Sequence, residues 1–257
     1  RSEIAVEYKQ DRSPLTVADK RSHEIIVAHL KPTGIPILSE EGRDIPPAER
    51  RRWRRLWIVD PLDGTKEFVK RLDEFTINIA LVEDQRPTLA AVFVPVKDVL
   101  YFGRIEDGSF RLDDPGAIAA LAADAGEGAG RAALERVRPQ AHRLPVDHAA
   151  HTPFVIVGSR SHATPELHAY VEEMRRERGD VRFVSAGSSL KYCLVAEGRA
   201  DVYPRLGPTM EWDTAAGQVI AEAAGATLTR HDTGGPMTYN KEDLLNPWHV
   251  VTRKVPS

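Results

Sequence analysis

Three groups of acids in this sequence could do chemistry together: Glu40-Glu41, Asp60 with Asp63, and Asp213. Each sits where a predicted strand ends or a predicted helix begins, and such ends can converge at one edge of a sheet. Four carboxylates gathered there repel one another, by about 4 kcal/mol per pair at 4 Å and an effective dielectric of 20. They must be protonated or neutralised by cations. A donor set of oxygen atoms without Cys or His selects hard ions, which favours Mg²⁺. Two divalent ions would balance four carboxylates, and two metals suit phosphoryl chemistry. Taken singly, each acid has an ordinary reading. Asp213 precedes an Ala-rich helix and reads as its N-cap. Glu40 and Glu41 read as loop acids, and Asp19 as an acid in the first turn of a helix. Only the joint pattern points to a metal.

Asp60-Pro61-Leu62-Asp63-Gly64-Thr65 is the most informative stretch. Pro61 fixes one φ angle, and Gly64 allows a positive φ or a close approach. Such a turn can aim Asp60, the Leu62 carbonyl and Asp63 at one place, while the amides of Gly64 and Thr65 open a helix toward a bound phosphate. The alternative is a plain Asp-Pro/Asp-Gly turn.

The elements that must position these groups follow from periodicity. Thr16 caps a helix running to about Leu30, with Val17, Ile25, Ile26 and Leu30 on its buried face. Ile35 to Leu38 reads as a strand, and the arginines from Arg50 to Arg55 as a solvated helix face. Leu56 to Val59 is a buried strand stopping at Asp60. Phe75 to Val82 and Leu89 to Val94 pair around a turn at Gln85-Arg86-Pro87, and Val99 to Phe102 and Ser109 to Leu112 extend the same antiparallel sheet. Residues 113–153, rich in Ala, Gly, Arg and Pro, read as a loose connection with one weak helix, dividing a part at 1–150 from one at 151–257.

In the second part, strands at Phe154 to Val157, Val181 to Val184 and Ala200 to Tyr203 alternate with helices at Pro165 to Glu177 and Leu190 to Ala196. Asp213 opens a further helix ending near Ala224, and strands near Ala226 to Thr229 and Val250 to Val251 close the chain. Hairpins mixed with helix-linked strands predict an α+β or mixed α/β fold. Cys193, the single cysteine, reads as helix packing rather than a nucleophile.

Composition narrows the function. Among 257 residues, Lys plus Arg is 35 and Asp plus Glu is 38. A net charge of -3 is no basic footprint for a nucleic-acid polymer. No apolar run reaches the length of a membrane span. One cysteine makes no disulfide framework and no thiolate zinc site, which fits a reducing cytoplasm.

Three signature pieces, E-E at 40–41, D-P-L-D-G-T at 60–65 and W-D-T-A-A-G at 212–217, resemble those of the inositol monophosphatase superfamily of magnesium-dependent, lithium-sensitive phosphatases. More narrowly, the chain is similar to that family's bacterial 3′(2′),5′-bisphosphate nucleotidase branch. The likeness rests on S-P-L-T-V-A-D at 13–19, V-D-P-L-D-G-T-K-E-F at 59–68, E-F-T-I-N-I-A-L at 74–81, S-R-S-H at 159–162, G-S-S-L-K-Y-C-L-V-A-E-G at 187–198 and Y-P-R at 203–205. It covers most of the chain and is weakest over 113–153. It implies a layered α-β-α-β-α sandwich, and a helix upstream of Arg1.

The same resemblance implies two or three Mg²⁺ ions held by Glu40, Asp60, the Leu62 carbonyl, Asp63 and Asp213. Glu41 would orient a metal-bound water, and Asp19 with Thr65 would hold and help deprotonate the attacking water, without a covalent nucleophile. It also implies a small nucleotide bisphosphate as substrate. Gly64, Thr65, Ser159, Arg160, Ser161, His162, Ser188, Ser189, Lys191, Arg205 and Asp213 would then contact it, through strand ends, turn amides and a guanidinium fork. The leading expectation is hydrolysis of adenosine 3′,5′-bisphosphate, and of its sulfated relative PAPS, to AMP or APS and phosphate. Inositol monophosphate or a sugar bisphosphate on the same fold is the second reading. A phosphate-binding regulatory protein without catalysis is the third; the full acid set and the Thr65–Asp19 pair speak against it, because binding alone needs no water-activating group.

Overall fold

The structure, a computed structural model, describes residues 6–8, 14–123, 129–159 and 164–254. The first half runs β1 Val6–Tyr8, β2 Pro14–Thr16, α1 Val17–Leu30, β3 Ile37–Ser39, α2 Pro47–Arg50, β4 Arg55–Asp63, α3 Thr65–Val69, β5 Thr76–Glu83, β6 Arg86–Val94, β7 Val99–Arg104, β8 Gly108–Leu112, α4 Pro115–Ala123, α5 Ala129–Val137 and β9 His142–Arg143. The second half runs β10 Phe154–Gly158, α6 Pro165–Arg178, β11 Val181–Ser185, α7 Leu190–Ala196, β12 Val202–Arg205, α8 Glu211–Ala223, β13 Thr227–Arg230 and β14 His249–Thr252.

Strands β3 to β9 form a seven-stranded sheet in sequence order, and β11-β10-β12-β14-β13 form a five-stranded one. In the first, β3 and β4 are parallel and the later pairs antiparallel. In the second, β10 pairs in parallel with β11 and β12, while β14 is antiparallel to β12 and β13. Strand alternation places the helices. On β10, Val155 and Val157 join the central core beside α7 and α8, while Ile156 faces Leu167 and Val171 of α6. On β7, Tyr101 faces that core, and Leu100 and Phe102 pack against α4 and α5. Helix α1 lies on this outer side, where the Trp57 indole donates to Thr33 just beyond it. The layers therefore alternate α-β-α-β-α.

Helix α8 is the spine of the central layer, with Ala215, Val219 and Ile220 almost wholly buried. Gly217 is required there: a Cβ would stand 2.5 Å from the ring of Tyr192 on α7. Cys193 is buried in the same layer, as packing requires.

Several sequence expectations are corrected. Helix α1 buries Asp19 and Ile26, whereas Val17 and Ile25 are exposed. The helix turns its polar side inward: Ser22 donates to the Pro61 carbonyl at 2.8 Å, and His23 bonds Ser39 at 2.8 Å. The arginine run is not wholly solvated. Arg50 is buried and donates to the carbonyls of Ile45, Lys241 and Glu242 and to Asn240 Oδ1. The β5–β6 turn falls at Asp84-Gln85, both at positive φ, because Arg86 and Pro87 already pair with Glu83 and Val82. Two helices, not one, occupy the 113–153 connection. Strand β4 runs on to Asp63 instead of stopping at Asp60, its register shifting between the two acids.

Candidate active site

The acids gather at one edge because parallel strands end there. Strand β3 runs into a 3₁₀ turn at Glu40–Gly42, and its parallel neighbour β4 ends in Asp60 and Asp63. Opposite them, β10 ends before Ser159, β11 before Gly187-Ser188-Ser189, and β12 in Arg205. Ligand sites form at the carboxyl ends of parallel strands for this reason. The N-terminus of α8 adds Asp213 from between the sheets.

Carboxylate oxygens of Asp60, Asp63 and Asp213 lie within 4.8 Å of one another. Among the described residues no other group of His, Cys, Asp and Glu is so placed. Burial pushes the Asp60 carboxyl well above the usual range, and the charges of Glu40, Asp63 and Asp213 push it further; the Leu62 amide, 3.0 Å from Oδ1, opposes them. Burial, then the charge of Asp63, raises Asp213 to about 8, with Glu40 adding to the rise and the Met210 amide opposing it. Asp63 is also raised by burial, against Lys191, Asn78 and Ser189. These carboxylates thus raise one another's pKa through like-charge repulsion in a buried setting. An all-carboxylate donor set of this kind fits a hard divalent cation.

Asp213 is not the helix cap. Met210 holds that position, and its N–H donates to Asp213 Oδ2 at 2.8 Å. The acid is the third residue of α8, so the same side chain closes the helix end and faces the cluster.

Asp63 is held through one oxygen. Its Oδ2 accepts from the Ser189 amide at 2.8 Å, the Ser189 hydroxyl at 3.1 Å, Asn78 Nδ2 at 3.3 Å and the Thr76 hydroxyl at 3.4 Å. The turn after it needs Gly64, whose φ is +93° and where a Cβ would meet Ser188 Oγ at 2.3 Å.

Asp19 and Thr65 meet, as the family resemblance implies: the Thr65 hydroxyl donates to Asp19 Oδ1 at 3.1 Å and lies 3.3 Å from the Leu62 carbonyl. The other Asp19 oxygen accepts from the Thr16 amide at 2.8 Å and the Thr16 hydroxyl at 2.5 Å, closing a capping box on α1. Glu41 stands half-buried on the same 3₁₀ turn as Glu40.

Beside the carboxylates opens a cavity of about 290 Å³. Of the expected substrate contacts, Gly64, Thr65, Ser159, Ser188, Lys191, Arg205 and Asp213 line it. Arg160, Ser161 and His162 lie outside the described residues. Ser189 departs from the expectation: it is buried, and its hydroxyl reaches Asp63 and the Asp213 carbonyl rather than the cavity. The Ser188 hydroxyl is turned to the Asp63 and Glu74 carbonyls, at 2.8 and 2.9 Å. Lys191 donates to the Ser188 carbonyl at 2.7 Å; burial lowers its pKa to about 8, assisted by Arg205 and opposed by Asp63, Glu67 and Glu74. Arg205 donates to the Pro208 carbonyl at 2.7 Å, and its buried Nε has no hydrogen-bond partner.

Sequence reasoning missed Lys66, Tyr192, Tyr203 and Thr209 on the cavity wall, and Asn78 behind Asp63. Asn78 had a readable signal. It alternates with Thr76 on the face of β5 that carries Ala80 and Val82 inward, a polar residue at an apolar parity.

The model of the inositol monophosphatase family matches residues 1–253. The 3′(2′),5′-bisphosphate nucleotidase CysQ of Salmonella typhimurium is 44% identical over 250 residues, covering 95% of this chain and 87% of that protein. The CysQ of Escherichia coli K12 is 43% identical over 249 residues, with the same coverages. The crystal structure of CysQ from Bacteroides thetaiotaomicron superposes with a TM-score of 0.84 at 48% identity, covering 96% of this chain and 87% of that one. An IMPase structure from Thermotoga maritima, 22% identical with a TM-score of 0.68 and coverages of 96% and 82%, shares the fold. The chain belongs to the inositol monophosphatase family. Its marked similarity within that family is to the CysQ nucleotidases.

Proposed function

We propose that this protein is a magnesium-dependent phosphatase that hydrolyses adenosine 3′,5′-bisphosphate to AMP and phosphate, and PAPS to APS and phosphate. The observation that carries the reading is the carboxylate cluster of Asp60, Asp63 and Asp213, within 4.8 Å and beside a cavity lined by Lys191 and Arg205. Identity of 43–44% over 95% of the chain to CysQ nucleotidases supports the nucleotide as substrate over inositol phosphate or a sugar bisphosphate.

Glu40, Asp60, the Leu62 carbonyl, Asp63 and Asp213 would hold two or three Mg²⁺ ions, with Glu41 orienting water. Bound there, the ions supply Lewis acidity that neutralises phosphate charge and eases deprotonation of water. The remaining work belongs to side chains. Thr65 gives its proton to Asp19 Oδ1 in a hydrogen bond, which leaves its oxygen to accept one from the attacking water and aim it. Thr16 fixes Asp19 through the opposite oxygen. Water attacks phosphorus in line and gives up a proton, the P–O bond to the ribose 3′ oxygen breaks, and that oxygen takes up a proton from solvent to leave as the hydroxyl of AMP. Ser159 with Arg160, Ser161 and His162, together with the Gly64 and Thr65 amides, Ser188, Lys191 and Arg205, would bind the phosphates and nucleoside. Ser189 acts from behind the acids.

In this reading residues 1–150 form a metal-binding subdomain and 151–257 complete the metal site and nucleotide pocket. The protein works in the cytoplasm on a small molecule. No helix among the described residues is long and apolar enough to cross a membrane.

The test is phosphate release measured with and without Mg²⁺ from adenosine 3′,5′-bisphosphate, inositol 1-phosphate and fructose 1,6-bisphosphate in parallel. Preference for the nucleotide, abolished by chelation, is expected. Preference for inositol 1-phosphate would overturn the substrate, and turnover of none of the three would favour a binding protein.

A further inference from the structure

The acid cluster is built from two distant parts of the chain, and one pair of polar side chains stands between them. Asn78 lies in β5 and Ser189 in the turn before α7, and each is only 1% exposed. Asn78 Nδ2 donates both to Asp63 Oδ2, at 3.3 Å, and to the Ser189 hydroxyl, at 3.0 Å. That hydroxyl lies 3.1 Å from the same Asp63 oxygen and 3.0 Å from the Asp213 carbonyl. The pair therefore touches the side chain of Asp63 and the backbone of Asp213 at once.

Stability does not account for Asn78. Its Oδ1 is buried without a hydrogen-bond partner. The position is an inward one on a strand whose neighbours on that face are Thr76 on one side and Ala80, then Val82, on the other, where a β-branched apolar residue would pack without an orphaned polar atom. The amide cannot be reversed to relieve this, because its oxygen would then face a carboxylate oxygen.

We propose that Asn78 and Ser189 are positioning residues that tether Asp63 through Oδ2, leave Oδ1 for a divalent cation, and hold Asp63 at its spacing from Asp213. They touch no reacting atom. The inference rests on the magnesium-dependent reading, and adds to it that metal affinity is set by a clamp joining β5 to the β11–α7 turn. Outer partners of ligating carboxylates commonly contribute tenfold to a hundredfold in affinity.

The experiment is calorimetric titration of MgCl₂ into the metal-free protein, for wild type, Asn78→Val and Ser189→Ala. It is paired with the melting temperature in chelator and with KM for adenosine 3′,5′-bisphosphate at saturating Mg²⁺. The clamp predicts that Asn78→Val weakens Mg²⁺ binding by about tenfold to a hundredfold. Its metal-free melting temperature should be equal or higher, and KM at saturating metal nearly unchanged. Ser189→Ala should weaken Mg²⁺ binding in the same direction. Wild-type affinity in both variants would overturn the clamp alone, since wild type would still bind the metal. A wild-type titration with no saturable binding would overturn the magnesium reading and the clamp with it. If Asn78→Val does not fold, Ser189→Ala decides by the same affinity criterion. Unfolding of both would make the pair structural and overturn the proposal.

Discussion

The two sheets bring opposite charges to the same edge. The seven-stranded sheet supplies Glu40, Asp60 and Asp63 from the ends of β3 and β4, and the five-stranded side supplies Lys191 and Arg205 around β11 and β12. Their construction differs as well. The acids sit at the one parallel pair of the larger sheet among the described residues, and the hairpin partner β5 backs them with Thr76 and Asn78. The basic groups sit where parallel strands β10, β11 and β12 all end, with helices returning the chain. The comparison teaches a division of labour. The acid side is braced by hydrogen bonds from β5 and from the turn before α7, and suits a cation that must be gripped in one geometry. The basic side faces an open cavity and suits a ligand of variable shape.

The acid side breaks first and hardest. Asp63→Asn keeps the shape and the capacity to hydrogen-bond but removes one charge from the cluster. It is expected to lower kcat/KM for the nucleotide by more than about a hundredfold. Circular dichroism should report an unchanged fold. Turnover near that of wild type would remove Asp63 from the site.

The five-stranded side should instead be the acid-labile one. His249 on β14 is fully buried, its Nε2 bonded to the Tyr192 hydroxyl at 2.6 Å and its ring stacked at 6.0 Å on that of Tyr192. Burial lowers its pKa to about 4 from the ordinary 6.5. Between these values the unfolded chain binds the proton more readily, so stability present above pH 6.5 is lost as pH falls toward 4. The shift corresponds to about 3 kcal/mol. Urea unfolding across that range should show the loss, and His249→Phe should flatten it. An unaltered slope in the variant would place the acid sensitivity elsewhere.

The basic side is probed most finely by Arg205→Lys, which keeps the charge and loses the planar fork. KM for adenosine 3′,5′-bisphosphate is expected to rise about tenfold, with kcat changed less. A fall in kcat at constant KM would move Arg205 to the acid side of the comparison.

Much of the acid side could be read from residue order. Asp60-Pro61-Leu62-Asp63-Gly64-Thr65 carries its own turn geometry, and Thr16 with Asp19 carries a helix start; these are local properties. What escaped depends on contacts distant in sequence. Arg50 lay hidden in a run of arginines because, apart from the Ile45 carbonyl, its acceptors are 190 or more residues away on Asn240, Lys241 and Glu242. Val17 and Ile25 looked like a buried face because periodicity does not say which side of a helix meets the protein.

The order of residues by itself determined which side chains could bind a hard cation, roughly where most strands and helices would fall, and that the fold mixes hairpins with helix-linked strands. These follow from side-chain chemistry and from backbone preferences a few residues long. Only the tertiary structure decided that Asp213 stands at the third position of its helix, that Ser189 serves the carboxylates rather than the cavity, and that Asn78 joins it there. Each of those depends on where the two sheets and the helix layer between them come to rest, and contacts between residues distant in sequence set that placement.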